Sequence, residues 1–458
     1  MIHMNNYMKK NLLIGVGMQS MYLLASFGIR TLFIHTLGEV YVGMDRLFSN
    51  ILMLLSFAEL GIGEAIIFQL YKPIVQKNYD RARDFLLFYR KIYRWIGSLI
   101  FVLGLLMVPY IMSLSLLGDA RNGEVGLIFL LYVANTSLTY FFTYRKALFL
   151  VQQQEYINVL FRQGSFLIQC VAQGFYLYAT HDLIGFLIIQ LLCTFLFNFF
   201  QSVYAYRKYP EYLTGRANPL EKLEIRAIKE NVKGIVLYMA SGVLVFGTES
   251  IFITYFLGLK MTGIYSNYTL IFSAVVSILA RAMRGLLGSI GQLNAKNDLK
   301  ESYHLFNKLY GITTLIYSAI GLSLFLIINP FIGIWLGDSF ILPQTVVFVL
   351  VIQFFVNGMQ YPAYLYRTTL GLYTRGRFSP VVLVLIYGGL SMLLIPYIGV
   401  AGSALSMLIA RLCTTTWVDP YLVFHDFFQR KSSAFIVRHY GIIAGCIVIF
   451  GALTILFW

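Results

Sequence analysis

Thirteen largely apolar stretches, each long enough to cross a bilayer as a helix, follow one another along the chain with short polar breaks between them. They lie near residues 11–36, 43–71, 93–117, 124–150, 156–179, 182–206, 232–257, 261–290, 304–329, 342–370, 379–396, 399–418 and 437–458. About 20 residues suffice for a crossing, because each adds ~1.5 Å to a helix and the hydrocarbon core is ~30 Å thick. Backbone groups inside lipid find partners only within a helix or a closed barrel. The stretches lack the two-residue alternation of barrel strands, so the expected fold is that of an all-α polytopic membrane protein. Composition agrees, with 59% of the 458 residues hydrophobic and 12% charged.

The formal net charge of +15 is arranged as a topology signal rather than as a nucleic-acid surface. With the N-terminus placed in the cytoplasm, all but four of the 35 Lys and Arg fall in inside loops or inner helix halves. The four are Arg121 and Lys260 in facing loops, and Arg30 and Arg46 in outer helix halves. A missed helix would swap the side of every later loop, so this asymmetry also checks the segment count. The basic loops from Lys72 to Arg94 and from Arg207 to Lys233 read first as topology signals and second as sites for anionic headgroups. Cys170, Cys193, Cys413 and Cys446 all fall within expected spans, and no disulfide framework, metal cluster or cofactor site follows from them. Lys9-Lys10 precedes an apolar run too long for a signal-peptide core, so the first helix is expected to be retained.

The chain repeats itself. Asn11 matches Asn231, Leu37-Gly38 matches Leu257-Gly258, Gly43 matches Gly263 and Ile51 matches Ile271, all at a spacing of 220 without a gap. Tyr144-Arg145-x-x-Leu148-x-Leu150 returns as Tyr366-Arg367-x-x-Leu370-x-Leu372 at a spacing of 222. Duplicated halves in a membrane protein place a substrate between them and let one rock against the other. The expected organisation is a six-helix N-terminal lobe over 1–206, a cytoplasmic linker over 207–231 and a six-helix C-terminal lobe over 232–420. A linker with an additional helix follows over 421–458.

Absences narrow the function further. There is no Walker A sequence, and the Gly-Ile-Gly at 61–63 lies within a helical stretch. Outer loops are too short for a folded catalytic domain, which counts against a membrane glycosyltransferase or polymerase; no enzyme activity is expected. No TVGYG-like filter marks a channel. A secondary transporter or flippase remains.

Ionisable groups in the bilayer cost at least ~2.5 kcal/mol each, so they face a cavity or a partner. Arg30 lies about six residues, roughly 9 Å, below the outer end of the first helix, where it either faces a cavity, the favoured reading, or snorkels with strain to the outer interface. Glu249 in the seventh falls opposite Ile29 in the repeat register, so the halves present opposite charges at similar depth. The pair either bridges the lobes or separates an anion site from a cation or proton site. Glu59 and Glu64, five apart, point in different directions on a helix. Arg281 and Arg284 share a face, and with Arg145, Lys146, Arg367 and Arg411 they either outline a basic vestibule suited to phosphate or anchor inner helix ends, a role that fits Lys146 and Arg411 equally well and Arg145 and Arg367 less, since the repeat singles those two out. Gln19, Asn135, Gln163, Gln169, Gln173, Asn198, Asn267, Gln353, Asn357 and Gln360 offer either a glycan-compatible lining or interhelical glue.

The stretch TLGEVYVGMDRLFSNILMLLSFAELGIGEAIIFQLYKP resembles the first two helices of the polysaccharide transporter family, the Wzx-type oligosaccharide-lipid flippases. GTESIFITYFLGLKMTGIYSNYTLI resembles that family's seventh and eighth helices, and Trp335-Leu336-Gly337 and YLYRTTLGLYTRGRFSPVV resemble its later regions. The family is similar in fold to multidrug (MATE) exporters and lipid II flippases. The resemblance implies export of undecaprenyl-diphosphate-linked oligosaccharides across the bacterial plasma membrane for capsule or another surface polymer, in the company of polymerase and assembly proteins. It further implies cationic residues around the diphosphate, here Arg30, Arg46, Arg145, Arg281, Arg284 and Arg367. Glu249 stands where relatives show Asp; with Glu59 and Glu64 it is assigned to coupling with a proton or sodium gradient or to an inter-lobe pair. Relatives commonly carry fourteen helices where this sequence shows thirteen. An ion-coupled multidrug exporter, a lipid II-type flippase and a scaffold for glycan-assembly enzymes are the alternatives.

Overall fold

The computed structural model describes residues 2–457 except 60, 114–121, 216–217, 285, 287–289, 291–292, 295–297, 371, 373–375 and 377; for Ala58, the start of the fifth helix, the end of the last helix and parts of the first and tenth helices it describes the backbone alone. Among the described residues the chain is helical with no strand. In order it forms α1 Ile2–Leu37, α2 Glu39–Leu55, a 3-10 turn Ser56–Glu59, α3 Ile62–Val75 and α4 Tyr79–Ser113. Then come α5 Asn122–Tyr140, α6 Thr143–Val151, α7 Glu155–Thr180, α8 Leu183–Lys208, α9 Pro210–Leu213 and the long α10 Lys222–Arg284. The chain ends with α11 Leu299–Leu336, α12 Gln344–Thr369, α13 Ser379–Ile398, α14 Val400–Cys413, α15 Thr415–Val423, a π turn Phe424–Phe428 and α16 Ser433–Phe457.

Each of the thirteen expected stretches overlies a helix, but several are not single rods. The 43–71 stretch breaks between the 3-10 turn and α3, where Gly61 takes the left-handed conformation. The 124–150 stretch bends by 47° between α5 and α6, and the 399–418 stretch breaks at Thr414. By length and apolarity alone, seven described helices can cross a membrane, or eight with the bent pair counted as one. Among the others, α7 is diluted by polar residues such as Glu155, Arg162 and its glutamines.

The chain divides into two compact units. The first holds Met1–Tyr41 and Phe48–Val236, the second Val42–Leu47 and Leu237–Trp458. The first is centred on Ile66, Leu70, Leu86, Tyr89, Tyr93, Leu148 and Phe149, all buried. Its expected linker is built structure: on α4, Arg81 pairs with Asp84 at 3.2 Å and Glu224 at 2.5 Å, and Arg83 donates to the Glu211 carbonyl at 2.8 Å. These two arginines of the basic loop therefore hold the linker. In the second unit α16 is an integral member. His439 Nδ1 shares a 2.8 Å hydrogen bond with Tyr310, and Phe435 packs on Phe306 and Phe424.

The duplication is legible in the backbone. Gly38 has φ 86°, ψ 175° and Gly258, 220 positions on, has φ 82°, ψ 172°. Side-chain-bearing residues avoid this region, so each glycine lets one helix end and the next begin in a new direction. The same spacing returns at the next helix start, where Asn78 Oδ1 accepts from the Arg81 N–H at 3.0 Å and Asp298 Oδ1 from the Glu301 N–H at 2.9 Å. Packing is conserved with its partners exchanged: Gly97 on α4 lies against Tyr140 of α5, while Tyr317, 220 positions after Gly97, lies against Gly358 of α12. Asn11 and Asn231, the first matched pair, have side chains outside the described residues.

Candidate functional site: a mixed-charge cavity in the second unit

A cavity of about 260 Å³ in the second unit gathers Arg46, Glu249 and Arg411 with Gln353, Asn357 and a set of hydroxyl and aromatic side chains. Helical spacing explains its walls. Tyr265, Thr269, Phe272, Ser273 and Val276 recur at three- and four-residue intervals along α10, so they form one face. Leu350, Gln353, Phe354 and Asn357 do the same on α12. Arg411 enters from the last turn of α14, and Arg46 from the α2 segment that belongs to this unit.

Glu249 is the acidic member. Its side chain is buried, and its Oε1 accepts a 3.1 Å hydrogen bond from the Tyr265 hydroxyl, across the break at Gly258. Arg46 acts on it electrostatically, yet no ion pair joins the two among the described residues. Arg411 is held from one side, donating from Nη1 to Asn357 Oδ1 at 2.7 Å. Among the described residues its Nε has no acceptor, nor does Gln353 Oε1 have a donor. Buried polar atoms are almost always satisfied, so unsatisfied ones lining a cavity are where a ligand's polar groups gain most. Two guanidiniums against one carboxylate leave the cavity with an excess of one positive charge.

The other sequence candidates are distributed differently. Arg145, in the first unit, donates from Nε to the Tyr144 hydroxyl and from Nη1 to Ser202 Oγ, both at 2.7 Å, and sits over the Tyr144 and Tyr206 rings. Arg367 differs from the expected vestibule role in this structure: it is buried in an ion pair with Asp419 of α15 and donates to the Leu372 carbonyl at 3.2 Å. The pair neutralises a charge that burial would otherwise penalise, and neither a motif nor the repeat singles out Asp419. Arg30 is half-buried on α1 in the first unit. Arg281 is exposed near the end of α10, and the side chain of Arg284 lies outside the described residues.

Glu59 and Glu64 part company as their spacing suggests. Glu59 accepts from the Tyr93 hydroxyl at 2.7 Å beside the break before α3, whereas Glu64 is exposed. The amides divide too. Gln163 donates to Gln19 at 2.7 Å between α7 and α1, and Gln173 to the Phe186 carbonyl at 2.8 Å, which is interhelical glue. Gln353 and Asn357 face the cavity. Tyr265 and Asp419 escaped sequence reasoning; for Tyr265, the polar and aromatic stripe over 265–276 was the available signal.

No protein-family model matches the chain, and no curated protein sequence does either. Solved structures do. The inward-facing conformation of a multidrug resistance MATE family transporter of the MOP superfamily is 12% identical with a TM-score of 0.69, over 95% of this chain and 98% of that one. Lipid II flippase MurJ in an inward closed conformation is 13% identical with a TM-score of 0.67, over 97% and 98%. The Vibrio cholerae MATE transporter VcmN in its bent form is 12% identical with a TM-score of 0.61, over 94% and 98%. The chain is therefore a polytopic all-α membrane protein whose fold is the one shared by MATE transporters and MurJ.

Proposed function

We propose that this protein is a flippase that moves polyprenyl-diphosphate-linked oligosaccharides from the inner to the outer leaflet of a bacterial plasma membrane, of the Wzx type. The observation that carries the reading is the second-unit cavity, where Arg46 and Arg411 outnumber Glu249. A planar guanidinium pair suits diphosphate oxygens, and Gln353, Asn357 and the Phe272 and Phe354 rings suit a glycan's hydroxyls and ring faces. The shared fold with MurJ supports a lipid-linked substrate. Alternating access follows from the duplicated halves, which supply two alternative arrangements of one architecture.

In this reading Glu249 is the coupling group. Its carboxylate is buried beside a tyrosine hydroxyl and within the field of Arg46, so a proton or sodium ion there changes the charge that a diphosphate meets. The N-terminus is cytoplasmic, and glycan polymerase and assembly proteins act downstream.

Deleting the gene and analysing lipid-linked intermediates tests the proposal. Cytoplasmic-leaflet polyprenyl-diphosphate oligosaccharide should accumulate, and a copy carrying Arg46→Gln with Arg411→Gln should fail to relieve it. A multidrug exporter, the reading favoured by the buried acid and the MATE fold, would instead give drug sensitivity with no accumulated intermediate.

A further inference from the structure

The first unit contains a separate polar cavity of about 360 Å³, at the end of the bundle where α6 leads into α7. Its size falls within the range of small-molecule pockets. Lys146 enters from α6, Arg162 from the second turn of α7, and Gln201 and Asn198 from α8. Lys146 and Arg162 are near enough for one charge to act on the other.

Neither cation has an acidic partner among the described residues, although a carboxylate lines the same cavity. Glu155 is turned to Asn158, whose Nδ2 donates to Oε2 at 2.6 Å. Asn158 Oδ1 in turn accepts from Gln201 Nε2 at 2.8 Å, and Gln201 is buried. This three-residue relay occupies one oxygen of the carboxylate, which forms no ion pair with either positive group among the described residues. Lys146 is half-buried and Arg162 lies exposed at the cavity's mouth, so the two present like charge to the same opening, and a counter-anion between them relieves their repulsion. The rest of the wall is suited to hydroxyls and ring faces: Ser165, Thr139 and Asn198, with Phe161.

We infer that this first-unit cavity binds an anionic saccharide, its carboxylate or phosphate between Lys146 and Arg162 and its hydroxyl-bearing ring against Phe161 and the amides. The inference deepens the proposed function, and rests on it, only in naming where such a saccharide would come from. Binding itself does not depend on transport.

The test is titration calorimetry on the full-length protein in nanodiscs with glucose 6-phosphate, glucuronic acid, glucose and inorganic phosphate. Glucose 6-phosphate and glucuronic acid should bind, and Lys146→Gln with Arg162→Gln should weaken them about tenfold or more, as expected when charge-assisted bonds are lost. Lys146→Arg with Arg162→Lys keeps the charge and should retain binding, which separates a missing site from a misfolded protein. Binding unchanged in the double Gln variant would overturn the inference. So would loss of binding on Arg411→Gln alone, which assigns the anion to the other cavity. Inorganic phosphate binding as tightly as glucose 6-phosphate would remove the saccharide from the claim. If charge-dependent binding is seen but deletion accumulates no lipid-linked intermediate, the site stands and the flippase reading falls. The reverse result removes the site alone.

Discussion

Gly43 packs so closely on the backbone of Leu259 that a Cβ at position 43 would fall inside contact distance of the Leu259 carbonyl oxygen. Its repeat counterpart, Gly263, lies one turn further along the same helix as Leu259. This contact explains why Val42–Leu47 counts with the second unit, and it is what brings Arg46 to the cavity shared with Glu249.

Two kinds of glycine should therefore respond differently. Gly43→Ala forces backbone apart and should destabilise by about 1–3 kcal/mol, the usual cost of overpacking, while also disturbing transport by shifting Arg46. Gly38→Ala and Gly258→Ala meet open space, so their cost is backbone strain alone, again about 1–3 kcal/mol. Thermal unfolding in detergent separates stability from activity. A Gly43→Ala protein with normal stability and normal transport would refute the close contact.

Arg367 and Asp419 should behave as a structural pair. Arg367→Met or Asp419→Asn alone strands one buried charge or its partner, a loss of about 3–5 kcal/mol. Replacing both with apolar residues should recover most of it. By contrast, Arg411→Gln should reduce transport with little change in unfolding temperature, since Arg411 lines the cavity and its Nε has no acceptor among the described residues. Equal stability losses in Arg411→Gln and Asp419→Asn would collapse this distinction.

Glu249→Gln keeps an oxygen for the Tyr265 hydroxyl and removes the charge. Transport should fall about tenfold or more, the scale of one lost charge-assisted interaction, and its dependence on the ion gradient should disappear. Reconstituted vesicles with imposed proton or sodium gradients make the measurement. Gradient-dependent transport persisting in Glu249→Gln would move coupling elsewhere.

Asp182 gives a pH prediction at the helix hairpin of α7 and α8. Burial pushes its carboxyl upward, but the Gly185 N–H at 2.8 Å, the Tyr176 hydroxyl at 3.0 Å and the Ile184 N–H at 3.0 Å together hold it below the usual carboxylate value. A folded-state pKa below the unfolded one contributes stability above the unfolded value, and that contribution is lost as pH falls through the folded value. Protection of the Ile184 and Gly185 amides, taken relative to intrinsic exchange at each pH, should therefore fall below about pH 4. Asp182→Asn should flatten this acid dependence; an unchanged profile would contradict the cap.

Much of the fold was legible because bilayer crossing imposes a length and an apolar pattern that sequence shows directly. The 220-residue repeat located Gly38 and Gly258 as a pair before their shared backbone conformation was visible. Helix breaks were less legible. The 43–71 stretch reads as one apolar helix, yet α2 ends at Leu55, a 3-10 turn follows, and α3 starts anew after the left-handed Gly61. The site was half legible for a related reason: Glu249 stood out as a buried charge, but sequence register aligned it with Ile29 beside Arg30, whereas the cavity joins it to Arg46. A linear register carries no information about which helix crosses another at Gly43. The partner of Arg367 was not legible: Asp419, which neutralises it, lies 52 residues away and has no repeat signal of its own.

The most direct measurement is flipping itself. Vesicles reconstituted with the purified protein and a fluorescent polyprenyl-diphosphate oligosaccharide are treated with a membrane-impermeant reagent that destroys label in the outer leaflet. The account predicts that label protected in empty vesicles becomes accessible when the wild-type protein is present, and remains protected with Arg46→Gln plus Arg411→Gln. Equal protection with wild-type protein and with empty vesicles, under either imposed ion gradient, would contradict it.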